Sequence, residues 1–266
     1  MVVTRLDDPD DDLLADYRNV PDAELMARRG LFVAEGRLVV ARLLQTRDLV
    51  TRSVLVTETA ADAVRDALEA RPDVPVHVVP QRVMNGIVGF NIHRGCLALG
   101  ERPPARDWRQ FAQGARRLVG LERVGNADNV GSIFRNSAAF GVEGVLLGPS
   151  CADPLYRKAI RTSMAASLTM PFAHADAWPG VLFDLRSRGW HVIGLTPDPG
   201  ATSIGDAAAT VRGGPCAIVL GHEGEGLTED ALAACDAPAR IPMAEGTDSV
   251  NVATAAAVAL YELACR

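Results

Sequence analysis

The stretch Cys216–Ala253 constrains this chain most. Cys216-Ala-Ile-Val-Leu-Gly221 is an apolar run stopped by glycine, and His222-Glu-Gly-Glu-Gly-Leu227 follows it. Further on, Ala239-Arg-Ile-Pro-Met243 leads through Ala-Glu-Gly-Thr-Asp248 into Ser249-Val-Asn-Val-Ala-Thr254, and Ala255–Cys265 has a helical pattern. Short apolar runs bounded by turn residues read as buried parallel strands, each emptying into a polar loop. In open α/β sheets a ligand sits beyond the carboxyl ends of the strands, so two such loops predict a wrapped small molecule. The first loop is neither G-x-G-x-x-G nor a phosphate-binding Walker loop. No dinucleotide fingerprint follows any predicted strand, which sets aside a nucleotide-dependent oxidoreductase. Glu223 and Glu225 make a phosphate unwelcome there and favour a cationic ligand.

Composition bounds the rest. The chain has 266 residues, 48% hydrophobic and 23% charged, within the ordinary range for globular domains. No apolar run reaches the ~18 residues that span a bilayer, and the acidic start Met1–Asp12 has no signal-peptide core. Cytoplasmic residence and no membrane partner are the expectation. The five cysteines are scattered, with no C-x-x-C pair, so free thiols are expected, without a disulfide framework or a metal site. The net charge of −6 speaks against nucleic acid, but six aspartates lie between Asp7 and Asp16. Residues 17–100 carry 11 arginines against 9 carboxylates, and the whole chain has 26 arginines to one lysine, Lys158. Arginine forks bind phosphate, and a GC-rich coding sequence gives the same bias.

In chain order, residues 1–20 read as an acidic, partly disordered head. Residues 21–100 read as a small α/β unit. It has a helix from Pro21-Asp22 to Arg29 ended by Gly30, then Phe32-Val-Ala-Glu-Gly36 leading into a helix Arg37–Gln45. A strand Ser53–Thr57, a helix Ala60–Ala70, a strand Val74–Val79, a short helix Gln81–Val88 and a strand Gly95–Leu99 complete it. Residues 101–114 form a linker with adjacent prolines. Residues 115–266 hold the second domain. Its predicted elements are strand Arg117–Glu122, helix Asn129–Phe140 capped by Asp128, strand Val142–Leu147, helix Pro154–Ala166, helix Trp178–Arg188 and strand His191–Leu195. The two opening loops follow. Arg157, Lys158 and Arg161 are spaced to share a helix face.

Asn129 and Arg135 stand six residues apart, about 240° around a helix, so they project separately. That spacing alone fits a cap plus a solvated arginine. Ser249 is a good N-cap with Asp248 competing, which puts Asn251 in the first turn beside free backbone N–H groups. Capping alone accounts for these residues equally well.

Taken together, these pieces resemble a known family. Asn129-x5-Arg135 is followed by Asp153-Pro-Leu-Tyr-Arg-Lys-Ala-Ile-Arg-Thr-Ser163 running to Met170-Pro171. Leu220-Gly-x-Glu223-Gly-x-Gly-Leu227 comes next, then Ile241-Pro-Met243 with Ser249-Val-Asn251-Val. In this order they resemble the SpoU (TrmH-type) RNA ribose 2′-O-methyltransferases of the SPOUT superfamily, over about residues 117–266. More weakly, residues 20–100, with Phe32–Gly36 and His93-Arg94-Gly95, resemble the ribosomal-protein-like RNA-binding domain that precedes the catalytic domain in many members. The sequence departs from the family at Asn126-Ala127, where Asp-Pro is usual, at His222 for the commoner Asn, and at Ala253 for Ser.

The resemblance implies an α/β fold whose C-terminal parallel-sheet domain carries a deep trefoil knot, a rare exception among folds. It implies S-adenosylmethionine as cofactor, a homodimer, and structured RNA as substrate, 23S rRNA first and tRNA second. A non-catalytic RNA-binding relative is the rival reading. By position, Gly221, Ile241 and Val250 would contact the cofactor, with Leu220 and Met243 beside them. Arg135, Asn129, Glu223, Ser249 and Asn251 match the catalytic set, and Arg94, Arg157, Lys158 and Arg161 would bind RNA.

Overall fold

Buried apolar runs pair into two separate sheets in the computed structural model, which describes residues 2–18, 21–88, 95–211, 213–244, 246 and 249–264. The readings at His93, Arg94, Asp248 and Cys265 fall outside those residues. Met1–Pro104 with Leu155–Thr169 form one compact unit, and Ala105–Pro154 with Met170–Arg266 form the other.

The first unit has strands β1 (Val3–Arg5), β2 (Leu31–Glu35), β3 (Thr51–Val56), β4 (Val76–Val78) and β5 (Cys96–Glu101), in the order β1-β4-β3-β5-β2. β1, β4 and β3 run parallel, while β5 is antiparallel to both β3 and β2. β2 is buried along its whole length, so the period-2 alternation that would announce it is absent. Its Phe32 ring lies over Gly100 of β5, where a Cβ would come within 2.2 Å of the ring.

The head is not loose. β1 joins the sheet edge, and a 3-10 turn at Asp12–Tyr17 puts Leu14 and Tyr17 into the core with Leu55 and Leu97. Tyr17 is 1% exposed and its hydroxyl shares a 2.7 Å hydrogen bond with Ser53 Oγ. Leu6, Leu14 and Tyr17 anchor the segment while aspartates between them face solvent, so a charge count alone gives the wrong reading of it. Two helices are broken where one was expected. Ala60–Ala70 divides at Val64 into Glu58–Ala63 and Arg65–Glu69. Pro154–Ala166 is interrupted by left-handed Met164 and Ala165, leaving Arg157–Thr162 and Ala166–Thr169.

The second unit has β6 (Arg117–Leu121), β7 (Gly144–Leu147), β8 (Phe172–His174), β9 (His191–Leu195), β10 (Thr202–Ser203), β11 (Cys216–Leu220) and β12 (Ala237–Arg240). Their order is β10-β12-β9-β11-β6-β7-β8, with every pair parallel. β6, β7 and β8 run out to one edge. The chain then returns, and β11 lies between β6 and β9, so the order reverses there. Such a switch point opens a crevice at the carboxyl ends of the strands. The core beneath includes Leu118, Leu146, Leu182, Leu185, Val192 and Val219. Helix Ala127–Ala139 is capped by Asn126, whose side chain accepts from Asp128 N, so Asp128 sits in the first turn and is not the cap. No helix among the described residues is long and apolar enough to cross a membrane.

Candidate active site

β11 ends at Leu220, and Gly221 turns the chain back on itself. A Cβ at Gly221 would lie 2.2 Å from the Gly226 carbonyl carbon and 2.3 Å from Leu227 N, so only glycine fits. His222 N donates to Gly226 O at 3.1 Å and Gly226 N donates to His222 O at 3.0 Å, closing the loop's neck. Two ties fix its outer side. Arg123 Nη1 pairs with Glu225 at 2.7 Å, and Asn129 Nδ2 donates to Glu223 Oε1 at 2.7 Å.

The base of the loop is held by Glu122, which the sequence motifs do not single out. This carboxylate is 2% exposed. It accepts from Trp178 Nε1, Thr228 N and Thr228 Oγ1, each at 2.8 Å. Its signal in the sequence is an acidic residue at the end of an apolar strand, where burial demands partners.

The second loop leaves β12 and meets the first across a cleft. Leu220, Gly221, Ile241, Met243 and Val250 all line it, as do Glu223 and Ser249. All five positions expected to touch a cofactor are therefore brought together. Leu195, Thr196 and Pro197, which the motifs leave out, close the third side from the end of β9.

Asn129 and Asn251 are not among the lining residues but join Glu223 in one chain of hydrogen bonds. Asn251 Nδ2 donates to Asn129 Oδ1 at 3.0 Å, and Asn129 in turn donates to Glu223. Asn251 Oδ1 also accepts from Ala253 N at 2.9 Å. Asn251, not Ser249, thus caps the last helix, Val252–Ala264, and Ser249 is left to the cleft. Arg135 lies exposed on the Ala127–Ala139 helix and does not line the cleft. No hydrogen bond or ion pair is seen at its guanidinium among the described residues, so a charged fork is presented to solvent.

Of the residues expected to bind RNA, Arg157 is turned inward within the first unit. Its N donates to Asp22 Oδ2 at 2.8 Å, and its Nε lies 3.6 Å from Oδ1, with the side chain 15% exposed. Arg161 lies 3.9 Å from the buried Glu35 carboxylate, and Lys158 is exposed. The three do not make one open basic face, because the i, i+4 pair is engaged by carboxylates. Burial pushes the Cys151 thiol up to about 11 and Cys216 and Cys235 up to about 12. These thiols are protonated at neutral pH and poor nucleophiles. Among the described residues no group of His, Cys, Asp and Glu is placed to hold a metal ion.

A parallel sheet with an apolar, glycine-backed cleft at its switch point defines an α/β domain built to hold a small molecule at its carboxyl edge. The model of the SpoU rRNA Methylase family matches residues 116–261, and the chain belongs to that family. An uncharacterized tRNA/rRNA methyltransferase of Mycobacterium bovis is 40% identical over 259 residues, covering 96% of this chain and 89% of the relative. Another, of Mycobacterium sp. strain KMS, is 32% identical over 241 residues, 86% of this chain and 74% of the relative.

Among solved structures, an rRNA methyltransferase from Sinorhizobium meliloti superposes with a TM-score of 0.83 at 23% identity, over 98% of this chain and 97% of the other. The SpoU methyltransferase AviRb from Streptomyces viridochromogenes, in complex with AdoMet, gives 0.82 at 21% identity, over 96% and 98%. A structure described as an RNA 2′-O ribose methyltransferase gives 0.80 at 24% identity, over 98% of both chains. At these identities the structures speak for the fold, which is the expected α/β architecture with a parallel-sheet domain.

Proposed function

We propose that this chain transfers a methyl group from S-adenosylmethionine to a ribose 2′-hydroxyl in structured RNA, with 23S rRNA as the first substrate to test and tRNA the second. The observation that carries the reading is the cleft in which Leu220, Gly221, Ile241, Met243 and Val250 converge. The lining fits the cofactor. Apolar side chains and glycine backbone suit an adenine face, and Glu223 on the cleft lining suits a sulfonium cation. When bound, the cofactor supplies an electrophilic methyl, and binding and orientation fall to the protein. Glu223, Asn129 and Asn251 hold each other's rotamers through their hydrogen bonds and fix the cleft wall. Arg135 clamps the phosphate beside the reacting ribose and stabilises charge growing on the 2′-oxygen, an effect often worth ~3–4 kcal/mol. A guanidinium donates and does not accept, so the hydroxyl proton leaves to a phosphate oxygen or to water.

The trefoil threading and the homodimer belong to the same proposal. β11 lying between β6 and β9, with both loops walling one cleft, supports the first. An apolar surface on the last helix, where Tyr261 is 55% exposed beside the Phe140 ring, supports the second. An RNA-binding role for the first unit, which ends at Pro104 and takes in Leu155–Thr169, is proposed likewise.

Calorimetric titration with S-adenosylmethionine tests the cleft: wild type binds and Ile241→Asp does not. Methyl transfer from labelled cofactor to total RNA, with 2′-O-methyl sites mapped with and without this gene, tests the reaction. Cofactor and RNA binding without transfer favours the non-catalytic reading. Near-full turnover by Arg135→Lys would remove the bidentate clamp.

A further inference from the structure

The geometry points to His222 as a positioning residue that holds the first cleft loop, and holds it only as the neutral imidazole with its proton on Nε2. Two backbone groups converge on one ring nitrogen. Gly224 N lies 3.0 Å and Glu225 N 3.1 Å from His222 Nδ1. A backbone N–H can only donate, so Nδ1 must present its lone pair to both. This fixes the tautomer from the partners alone, without any view of hydrogens. With the two-way backbone tie between His222 and Gly226, these contacts close a five-residue turn that carries Glu223.

Glu223 therefore depends on His222. It sits between the turn's neck and the two amides that the imidazole gathers. From there its carboxylate reaches Asn129 at 2.7 Å and enters the cleft lining. A proton on Nδ1 would set three donors against one another at the loop's centre and release both amides. Among the described residues, the carboxylates of this loop are Glu223 and Glu225. Glu223 is engaged by Asn129, and Glu225 by the Arg123 guanidinium that reaches it from beyond β6. Across the cleft, Thr196, Pro197, Met243, Ser249 and Val250 bring no charge. Asparagine can serve the same amides, since its side-chain oxygen accepts from the N–H two residues on.

The tautomer stands on geometry alone. Its consequence, that S-adenosylmethionine binding needs an acceptor for these two amides, rests on the proposed methyl-transfer function. The full-length protein is labelled with 15N-histidine, and the His222 signals are assigned by their loss in His222→Asn. The ring is expected as the Nε2–H form. An Nδ1–H form overturns the proposal whether or not any cofactor binds.

Calorimetry with S-adenosylmethionine then compares wild type, His222→Asn and His222→Ala. His222→Ala, which leaves both amides without an acceptor, is expected to lose about tenfold in affinity. His222→Asn, which restores an acceptor, should recover most of that loss. Wild-type affinity in His222→Ala, or an equal loss in His222→Asn, overturns the coupling. Absence of wild-type binding removes the proposed cofactor, while the ring spectrum still decides the role of His222.

Discussion

Glu122 takes three hydrogen bonds on one buried carboxylate, and two of them come from Thr228 at the far end of the glycine loop. The residue works as a peg between strand end, indole and loop. Glu122→Gln keeps the shape but turns an amide NH2 toward donors, leaving at least one buried group unpaired. Such a loss costs about 1–3 kcal/mol. Urea denaturation should show that decrease, and cofactor titration should show weaker binding because the loop is anchored there. Gly221 is constrained by space instead. Its missing Cβ is replaced by the backbone of Gly226 and Leu227 at 2.2–2.4 Å, and backbone cannot rotate aside as a side chain would. Gly221→Ala should cost about 1–3 kcal/mol in stability by overpacking. In titration it should abolish binding in the cleft, since the loop must lift to make room.

Elements show where the sequence was readable. Helices Asp22–Arg29, Arg37–Gln45 and Gln81–Val88 and strands β9 and β11 fall where periodicity and Gly30 place them. β8, with three residues, and β10, with two, are too short to show any period. The Ile204–Thr210 helix buries only Ile204, Ala207 and Ala208, and two alanines give so weak an apolar stripe that its Ser203 cap is the clearer mark. The cleft was legible because glycine and apolar residues stand at strand ends in chain order. Glu122 was not, because its partners Trp178 and Thr228 are 56 and 106 residues away.

β4 carries a prediction of its own. His77 is buried at its centre, with Nδ1 unpaired among the described residues. Burial lowers its pKa below the ordinary value near 6.5, against a smaller opposing pull from Asp11. The folded chain thus holds His77 neutral while the unfolded chain takes up a proton. Stability is full above that ordinary value and falls as pH drops from it toward the lowered folded value. Urea midpoints at about pH 7.5 and about pH 5.5 should differ more in wild type than in His77→Leu.

At the scale of the whole molecule, Arg135 sets the problem. It is exposed on the Ala127–Ala139 helix and is not among the residues that line the cleft with Glu223 and Ser249. If one chain supplied both the cofactor and the phosphate clamp to a single ribose, the guanidinium would be expected near that cleft. The homodimer proposed above would resolve this. In a twofold dimer the same surface is used by both subunits, so one chain's Arg135 can serve the cleft of the other. Mixing two inactive variants tests the arrangement. Arg135→Ala keeps its cleft, and Ile241→Asp keeps its arginine. Co-refolded in equal amounts, they should form mixed dimers in about half of the molecules, each with one intact composite site. Methyl transfer to total RNA should then return to about a quarter of wild type. If arginine and cleft act within one chain, every site in the mixture lacks one or the other, and the mixture stays as inactive as its parts.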